Sequence, residues 1–260
     1  MENINKINSE KFICTSSDGI VILKKGGKDQ HLYIRKYPLE TGLEYLLIGT
    51  IHPNPDSRQK AVIDYFYGNV SSFWDIVQAI YTNHNFESIE GIIKWQKNFK
   101  IGITDTILQC KRRENSAKDS DIILEKEDYN WLLKDYVLSN RKTLKKLFFT
   151  SGVAKNGAYR NFKKIMGDDF LLIEHICVVL PSPSRNSNLA LFRGKDNYYG
   201  LVPSFYDFLN DHYPEALEHA KETFIRKKEN VEKLKRLPKG NYINDYKVFE
   251  YQKHFPKNTK

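Results

Sequence analysis

The chain has 260 residues, of which 40% are hydrophobic and 13% aromatic, so it can bury a sizeable core and is expected to be globular. No apolar run reaches membrane-spanning length and the opening MENINKINSE is too polar for a signal peptide, so we expect a cytoplasmic protein that does not bind membranes. Lysine and arginine number 41 against 32 aspartates and glutamates, and this formal charge of +9 favours a polyanionic partner, most often nucleic acid, although biased genomes also produce lysine-rich chains.

The first predicted elements are strands. Residues 11–35 are typical of short strands that are interrupted by glycine-containing turns. The continuous apolar run YLLIGT, at 45–50, predicts a buried strand. Ser57 is a candidate cap for a helix that continues through Phe66.

A second predicted helix begins at Ser72, because Asp75 lies three residues later and completes a capping box. Apolar side chains then recur at helical spacing. The remaining elements predicted in chain order are a helix at 129–138, a strand at 144–151, a helix at 157–166, a strand at 171–181, and a helix from about 205 that is followed by an aromatic-rich tail.

Strands that alternate with helices predict an α/β fold, here a three-layer α/β/α sandwich around a mainly parallel central sheet. We predict one domain with a core over about 40–205, an N-terminal β extension over 1–39 and a C-terminal helical and basic tail over 206–260. The tail includes RKKENVEKLKRLPK (226–239), which has seven basic and two acidic residues. This run is typical of a solvated helical face, with phosphate contact as the alternative.

Ligands of parallel α/β sheets bind at the carboxyl ends of the strands. Three segments follow predicted strands at that edge, namely 49–56, 150–153 and 181–188. We therefore expect the functional site where these three loops converge.

The cysteines and the absence of common motifs restrict the chemistry. Cys14, Cys110 and Cys177 lie far apart with no CxxC pair, which predicts buried free thiols rather than a zinc site, an iron–sulfur cluster or a disulfide. The sequence contains no GxGxxG, GxxxxGK[ST], HExxH or deaminase signature. We therefore predict an activity without a metal or other cofactor.

Four segments, taken in order, resemble motifs of the uracil-DNA glycosylase superfamily, in particular its hypoxanthine- and mismatch-type branches. The first is Gly49–Pro53, followed by Phe66-Tyr67-Gly68-Asn69 and a helix that opens on Phe73-Trp74. The others are GITDTILQCKRRENSAKDSD at 102–121, LFFTSGVA at 147–154, and VLPSPSRNSN at 179–188, which is similar to the family's Leu-Pro-Ser-x-Ser loop that enters DNA. The resemblance covers more than half of the chain.

The resemblance implies a monofunctional DNA glycosylase that flips a base out of the duplex and hydrolyses its N-glycosidic bond. The first motif departs from the family, because His52 precedes the proline and the loop is one residue longer, where relatives have Asp or Asn two residues after the glycine. The cluster cysteines of the iron–sulfur branches are missing. A lyase would need a lysine nucleophile, and the loops 49–56, 150–153 and 181–188 contain none.

Three residues are candidates for catalysis. His52 is a candidate general base or charge stabiliser, with a structural histidine as the alternative. Asn69 is a candidate for positioning water or pairing with a base edge, with a helix-entry turn as the alternative. Asp105 is a candidate for balancing a cation-like sugar or activating water, with a helix cap for TILQCKRR as the alternative.

A base pocket needs an aromatic face and room for close approach. Tyr67 or Phe66 is a candidate to stack on the flipped base, and core packing is the alternative for both. Gly68 suits close approach of the backbone to a ligand or a simple turn. The predicted base-binding residues are Thr50, Ile51, Phe66, Tyr67, Gly68 and Thr150.

The proline-rich segment after the last predicted strand is the candidate DNA contact. Hydroxyls of Ser182 and Ser184 are suited to phosphate oxygens, Arg185 to a phosphate or to the gap left by the flipped base, and Asn186 completes the predicted DNA-binding set. We expect DNA to be the partner of a monomeric protein.

The excised base is left open among uracil, hypoxanthine and a bulky modified pyrimidine. Repair of damaged DNA and antiviral defence against phages with modified bases, such as glucosylated hydroxymethylcytosine, are both compatible with the sequence. Two other function classes stay open: a non-catalytic DNA-binding module on the same fold, and an enzyme that acts on free nucleosides or nucleotides.

Overall fold

The computed structural model describes residues 27–52, 62–68, 73–113, 119–228 and 241–257, and the backbone alone of 12–15, 20–23, 185–186 and 226–228. The strands in this part of the chain are β1 (Phe12–Thr15), β2 (Ile20–Leu23), β3 (Asp29–Gln30), β4 (Tyr45–Gly49), β5 (Ile101–Asp105), β6 (Gln109–Arg112), β7 (Ile122–Ile123), β8 (Lys146–Phe149) and β9 (Cys177–Val179). The helices are α1 (Tyr33–Lys36), α2 (Phe73–Ile80), α3 (Ile89–Phe99), α4 (Leu132–Asn140), α5 (Ala158–Met166), α6 (Pro203–His212), α7 (Pro214–Lys228) and α8 (Tyr242–His254).

The central sheet contains four parallel strands in the order β5-β4-β8-β9. Its register pairs Gly49 with Asp105 and Ile48 with Phe149, so the carboxyl ends of the three adjacent strands β5, β4 and β8 lie side by side. The predicted strands at 45–50 and 144–151 are confirmed. Strand β5 was not predicted, because its apolar run is short and ends in Thr104 and Asp105.

Helices cover both faces of the sheet, which confirms the predicted three-layer α/β/α sandwich. Leu47 and Phe148 point to the face that packs on α2, α3 and α8. Leu46, Ile48 and Phe149 point to the opposite face, which packs on α4 and α5. Burial on both faces explains why these strands are continuously apolar rather than alternating.

Several predicted boundaries change. Residues 62–68 form a tight turn, because the amides of Val62 and Ile63 both donate to the carbonyl of Gly68, so the predicted helix does not continue through Phe66. Its predicted start at Ser57 lies outside the described residues. Only Cys177–Val179 of the predicted strand 171–181 is extended, because 3₁₀ turns extend from Gly167 to Ile176. Of the predicted N-terminal strands, the last part is instead the short helix α1.

The C-terminal tail belongs to the packed core. Tyr251 of α8 and the following Phe255 are buried against the sheet, in the same cluster as α2 and α3. Tyr242 and Tyr246, nearer the start of α8, pack with α6 and α7. Helix α8 therefore joins the sheet to the helical C-terminal region, whereas the predicted basic run lies mostly outside the described residues. No helix in the described ranges combines the length and the apolar character needed to cross a membrane.

Candidate active site

The topology of the sheet marks one edge as the expected place for a ligand. The chain passes from β4 to β5 on one side of it and then to β8 on the other side, so β4 lies at the point where the strand order reverses. Ligands of such sheets bind outside the carboxyl ends of the strands at this switch point. Gly49 and Thr50, Asp105, and Thr150 occupy that position.

Asp105 is the buried carboxylate at this edge, with 5% of its surface exposed. Its Oδ2 lies 2.6 Å from Nε2 of His31. Burial raises the pKa of Asp105 to about 7, although the charge of His52 and a backbone hydrogen bond with Gly49 act in the opposite direction. Because the segment after Asp105 forms strand β6, the alternative interpretation of this residue as a helix cap is wrong.

The other carboxylate oxygen of Asp105 lies against Gly49. A β-carbon at Gly49 would collide with Oδ1 of Asp105 and would come within 2.5 Å of the hydroxyl of Tyr67. The strand therefore needs a glycine here, because the two functional groups occupy the space of its missing side chain. Oδ1 of Asp105 and the hydroxyl of Tyr67 thus lie together at the end of β4.

Tyr67 forms a second wall of the site. Its hydroxyl lies 3.1 Å from Oγ1 of Thr150, and its ring packs on Phe73 with the ring centroids 4.6 Å apart. Burial and the nearby charge of Asp105 raise the pKa of Tyr67 well above its ordinary value, so the hydroxyl keeps its proton. The backbone of Tyr67 has a φ of 56°, a left-handed conformation that is uncommon for a bulky residue.

A second carboxyl group, Asp119, approaches from the segment before β7. Burial raises its pKa to about 6, opposed by a hydrogen bond with Thr50 and by the charge of Arg112, while the charge of Asp105 adds to the rise. The side-chain amide of Asn156 donates to the carbonyl of Asp119 over 2.8 Å and fixes the segment. The hydroxyl of Thr50 also lies 3.0 Å from that of Ser151.

His52 lies in a buried polar cluster beside these groups. Its Nε2 donates to the carbonyl of Gln30 over 2.8 Å, and its Nδ1 is 3.9 Å from Asp29. Arg112 bonds both to Asp29 and to the carbonyl of His52. These contacts suit a residue that supports the charge of Asp105, and its predicted role as the hydrolytic base stays a prediction.

Three of the predicted base-binding residues have structural partners. Phe66 is 2% exposed and packs against the rings of His31 and Tyr33, so its position matches the core alternative. Ile51 packs against a small cluster formed by Ile107, Cys110 and Ile122. At Gly68 a β-carbon would collide with the carbonyl of Ile63, so this glycine is required by the turn itself. The site thus brings together Thr50, Tyr67, Thr150 and Asp105 from the predicted set.

Residues 181–188, which we call the Pro-Ser loop, are held from the C-terminal helix. The buried ammonium of Lys247 donates to the carbonyls of Pro183 and Ser184, each over 3.3 Å, and to Oδ1 of Asn188 over 2.7 Å. The hydroxyl of Tyr251 donates to the carbonyl of Pro181 over 3.0 Å. The loop is therefore fixed by its backbone.

The two predicted phosphate-binding serines of the Pro-Ser loop differ in their exposure. Ser184 is exposed and Ser182 is half-buried. Arg185 and Asn186 begin the 3₁₀ segment Arg185–Phe192, and their side chains lie outside the described part. The predicted catalytic Asn69 also lies outside the described residues.

Two residues of the candidate site, His31 and Asp119, were not identified from the sequence. His31 is 74 positions from Asp105 and reaches it only because β3 pairs with β6, and no local motif marks it. Asp119 lay within the motif segment 102–121, but nothing in its neighbours distinguished it from Asp121. Both residues are recognised as part of the site only once the pairing of segments that are distant in the sequence is known.

Within the described ranges, one cluster of three carboxyl groups could hold a metal ion. Glu125, Glu127 and Asp128 come together, but the ammonium of Lys28 is bonded to all three and supplies the positive charge. Cys110 and Cys177 are free, and burial raises the pKa of the Cys177 thiol to about 12.

A comparison of the chain with protein-family models, with curated proteins and with solved structures finds no match in any of the three.

Proposed function

We propose that this protein is a monofunctional DNA N-glycosylase in which Asp105 activates the attacking water. The observation that carries the proposal is a buried carboxyl group, with a pKa near neutrality, at the switch point of a parallel sheet. A general base is most effective when its pKa lies near the working pH, and burial gives Asp105 that property.

Hydrolysis then needs only groups of this chain. The bond between C1′ of the deoxyribose and the base nitrogen breaks, and its electron pair leaves with the base. Water adds its oxygen to C1′ and gives a proton to Asp105, from which the proton passes to the departing base or to solvent. Asp119, whose pKa is about 6, is mainly ionised at neutral pH and supplies negative charge for the cation-like sugar.

The flipped base would lie beside Tyr67. The ring offers an aromatic surface worth about 1–3 kcal/mol for a stacked base. The protonated hydroxyl of Tyr67 and the hydroxyls of Thr50 and Thr150 offer hydrogen bonds to its edge. Hydroxyls both donate and accept, which is compatible with uracil, hypoxanthine or a modified pyrimidine.

Binding to DNA is supported by three further features. The chain carries a formal charge of +9. The Pro-Ser loop is braced by Lys247 and Tyr251, and a braced loop can hold a strained backbone while a base is flipped at a cost of roughly a few kcal/mol. Four sequence motifs resemble the uracil-DNA glycosylase superfamily in the same order.

The test is alkali-revealed strand cleavage on oligonucleotides that contain uracil, hypoxanthine, xanthine, hydroxymethylcytosine or glucosylated hydroxymethylcytosine. We expect cleavage at one of these bases, and a loss of about 10²- to 10⁴-fold in the excision rate for Asp105→Asn. Asp207→Asn, at an exposed position in α6, is the matched control and should cleave as the unaltered protein does. His52→Ala and Asn69→Ala, run alongside, divide the remaining catalytic roles.

Two outcomes would overturn the proposal. Excision that survives Asp105→Asn unchanged would remove the assigned base. Salt-sensitive DNA binding without cleavage of any substrate would instead favour the non-catalytic DNA-binding module, and cleavage of glucosylated hydroxymethylcytosine alone would favour the antiviral role.

A further inference from the structure

We propose that His31 is the positioning residue of the site, a neutral hydrogen-bond donor that holds Oδ2 of the Asp105 carboxylate and so keeps Oδ1 beside Gly49 and the hydroxyl of Tyr67. This inference rests on the proposed function for its catalytic meaning. The hydrogen bond from Nε2 of His31 to Oδ2 of Asp105 does not depend on which base is excised.

The protonation state of His31 follows from its two nitrogens. Nδ1 lies 3.2 Å from the backbone N–H of Tyr33 and 3.3 Å from that of Ile34, so it must accept hydrogen bonds and carries no proton. The proton of the neutral ring is therefore on Nε2, which lies 2.6 Å from Oδ2 of Asp105 and donates to it. Protonating Nδ1 would point its N–H at two other N–H donors, so His31 stays neutral.

The backbone fixes the imidazole in place. The amide of His31 donates to the carbonyl of Leu108 over 2.7 Å, which continues the pairing of β3 with β6. Leu108 follows Asp105 by three residues, so the backbone and the side chain of His31 both bond to the same short segment. The first turn of α1 supplies the two amides that hold Nδ1.

The hydrogen bond from His31 gives the two oxygens of Asp105 different surroundings. Both side chains are nearly completely buried, at 0% exposure for His31 and 6% for Asp105, so water does not compete for Oδ2. Oδ1 is left against Gly49, beside the hydroxyl of Tyr67. A carboxylate held in this way presents one oxygen in one direction to the attacking water.

Other charged and titratable groups face this pair and must be held constant in any test. His52 stacks obliquely on His31 with the ring centroids 4.7 Å apart. The charge of Asp105 raises the pKa of both Asp119 and Tyr67. Arg112 and Asp29 lie next to His52. None of these groups is altered by the substitutions below.

The first experiment needs no substrate. Long-range ¹H–¹⁵N correlation spectra of the full chain report the tautomer of His31, and ¹³C spectra report the titration of the Asp105 carboxyl. We expect the Nε2–H tautomer, and we expect Asp105 in His31→Leu to titrate at higher pH, because the ionised form loses its donor. An Nδ1–H tautomer, or an unchanged titration of Asp105, would overturn the proposal whatever the activity of the protein.

The second experiment measures excision by variants of His31. His31→Leu should lower the single-turnover rate by about 10- to 100-fold with DNA affinity unchanged, and should move the acidic limb of the pH profile upward. His31→Gln, whose amide can also donate to Oδ2, should recover most of the rate. His175→Leu, at an exposed position, is the control.

The outcomes separate this inference from the proposed function. If Asp105 shifts its titration in His31→Leu but no base is ever excised, the hydrogen bond stands and the glycosylase proposal falls. If excision occurs but His31→Leu and His31→Gln are equally slow, the role of His31 as a donor is refuted. If His31→Leu does not fold, the tautomer and the rate of His31→Gln decide the question.

Discussion

Replacing Asp105 by asparagine should stabilise the protein at neutral and alkaline pH. The pKa of Asp105 is about 7 in the folded chain, against about 3.9 for an exposed aspartate in the unfolded chain. Below both values the carboxyl is protonated in both states and contributes no difference. As the pH rises, the unfolded chain loses this proton first, so ionisation favours unfolding.

The magnitude follows from the two pKa values. The free energy of unfolding falls by about 1.4 kcal/mol for each pH unit between pH 4 and pH 7, which sums to about 4 kcal/mol above pH 7. Asparagine cannot ionise, and its amide oxygen can still accept the hydrogen bond from His31. The stability of Asp105→Asn relative to the unaltered protein should therefore increase by up to about 4 kcal/mol over this range, a large part of the about 5–15 kcal/mol that holds a typical domain.

Urea unfolding, followed by tryptophan fluorescence from about pH 4.5 to about pH 8.5, measures this difference directly. Asp119 titrates in both proteins, but the charge of Asp105 that adds to its raised pKa is absent in Asp105→Asn, so the difference also contains a smaller change in the titration of Asp119. The control Asp207→Asn makes the same substitution at an exposed position. A difference between Asp105→Asn and the unaltered protein that does not change with pH would refute the assignment of a buried carboxyl with a raised pKa.

Three further substitutions test the rest of the site. Gly49→Ala should abolish excision because its methyl group collides with the carboxylate, whereas Gly152→Ala, whose β-carbon would meet its nearest neighbour at 3.5 Å, should keep the activity. Tyr67→Phe should slow single-turnover excision about 10-fold without weakening DNA binding, because it removes one hydrogen bond and keeps the ring; an unchanged rate would exclude a role for the hydroxyl. Lys247→Met should expose the Pro-Ser loop to limited proteolysis and weaken DNA binding about 10-fold in a fluorescence-anisotropy titration, while Lys253→Met, at an exposed pair, should do neither.

Local patterns were enough to predict the layers of the fold. Strands β4 and β8 are continuously apolar, and the helices at 132–140 and 158–166 carry apolar side chains on one face, so each element could be identified from its own residues. Strand β5 was missed because glycine and threonine interrupt its apolar run. The order of the strands in the sheet depends on pairing between segments, which local patterns do not encode.

The site shows the same division between local and distant information. Phe66 and Tyr67 are adjacent aromatics, yet one packs in the core and the other reaches the site, because Tyr67 adopts a left-handed backbone that its residue type does not predict. Asp105 was a candidate from its motif, but its place in the site follows from its burial and from His31, which lies 74 residues earlier in the chain. The sequence motifs were enough to predict which loops form the site, whereas which of their residues line it depends on how the chain packs.

The bracing of the Pro-Ser loop by α8 has a consequence for synthesis. The sheet, both carboxyl groups and the loop itself are all translated before Lys247 and Tyr251. A nascent chain on the ribosome therefore contains every group of the candidate site before the anchor of the Pro-Ser loop has been synthesised. Competence to bind DNA would then arise only when α8 has left the exit tunnel and docked.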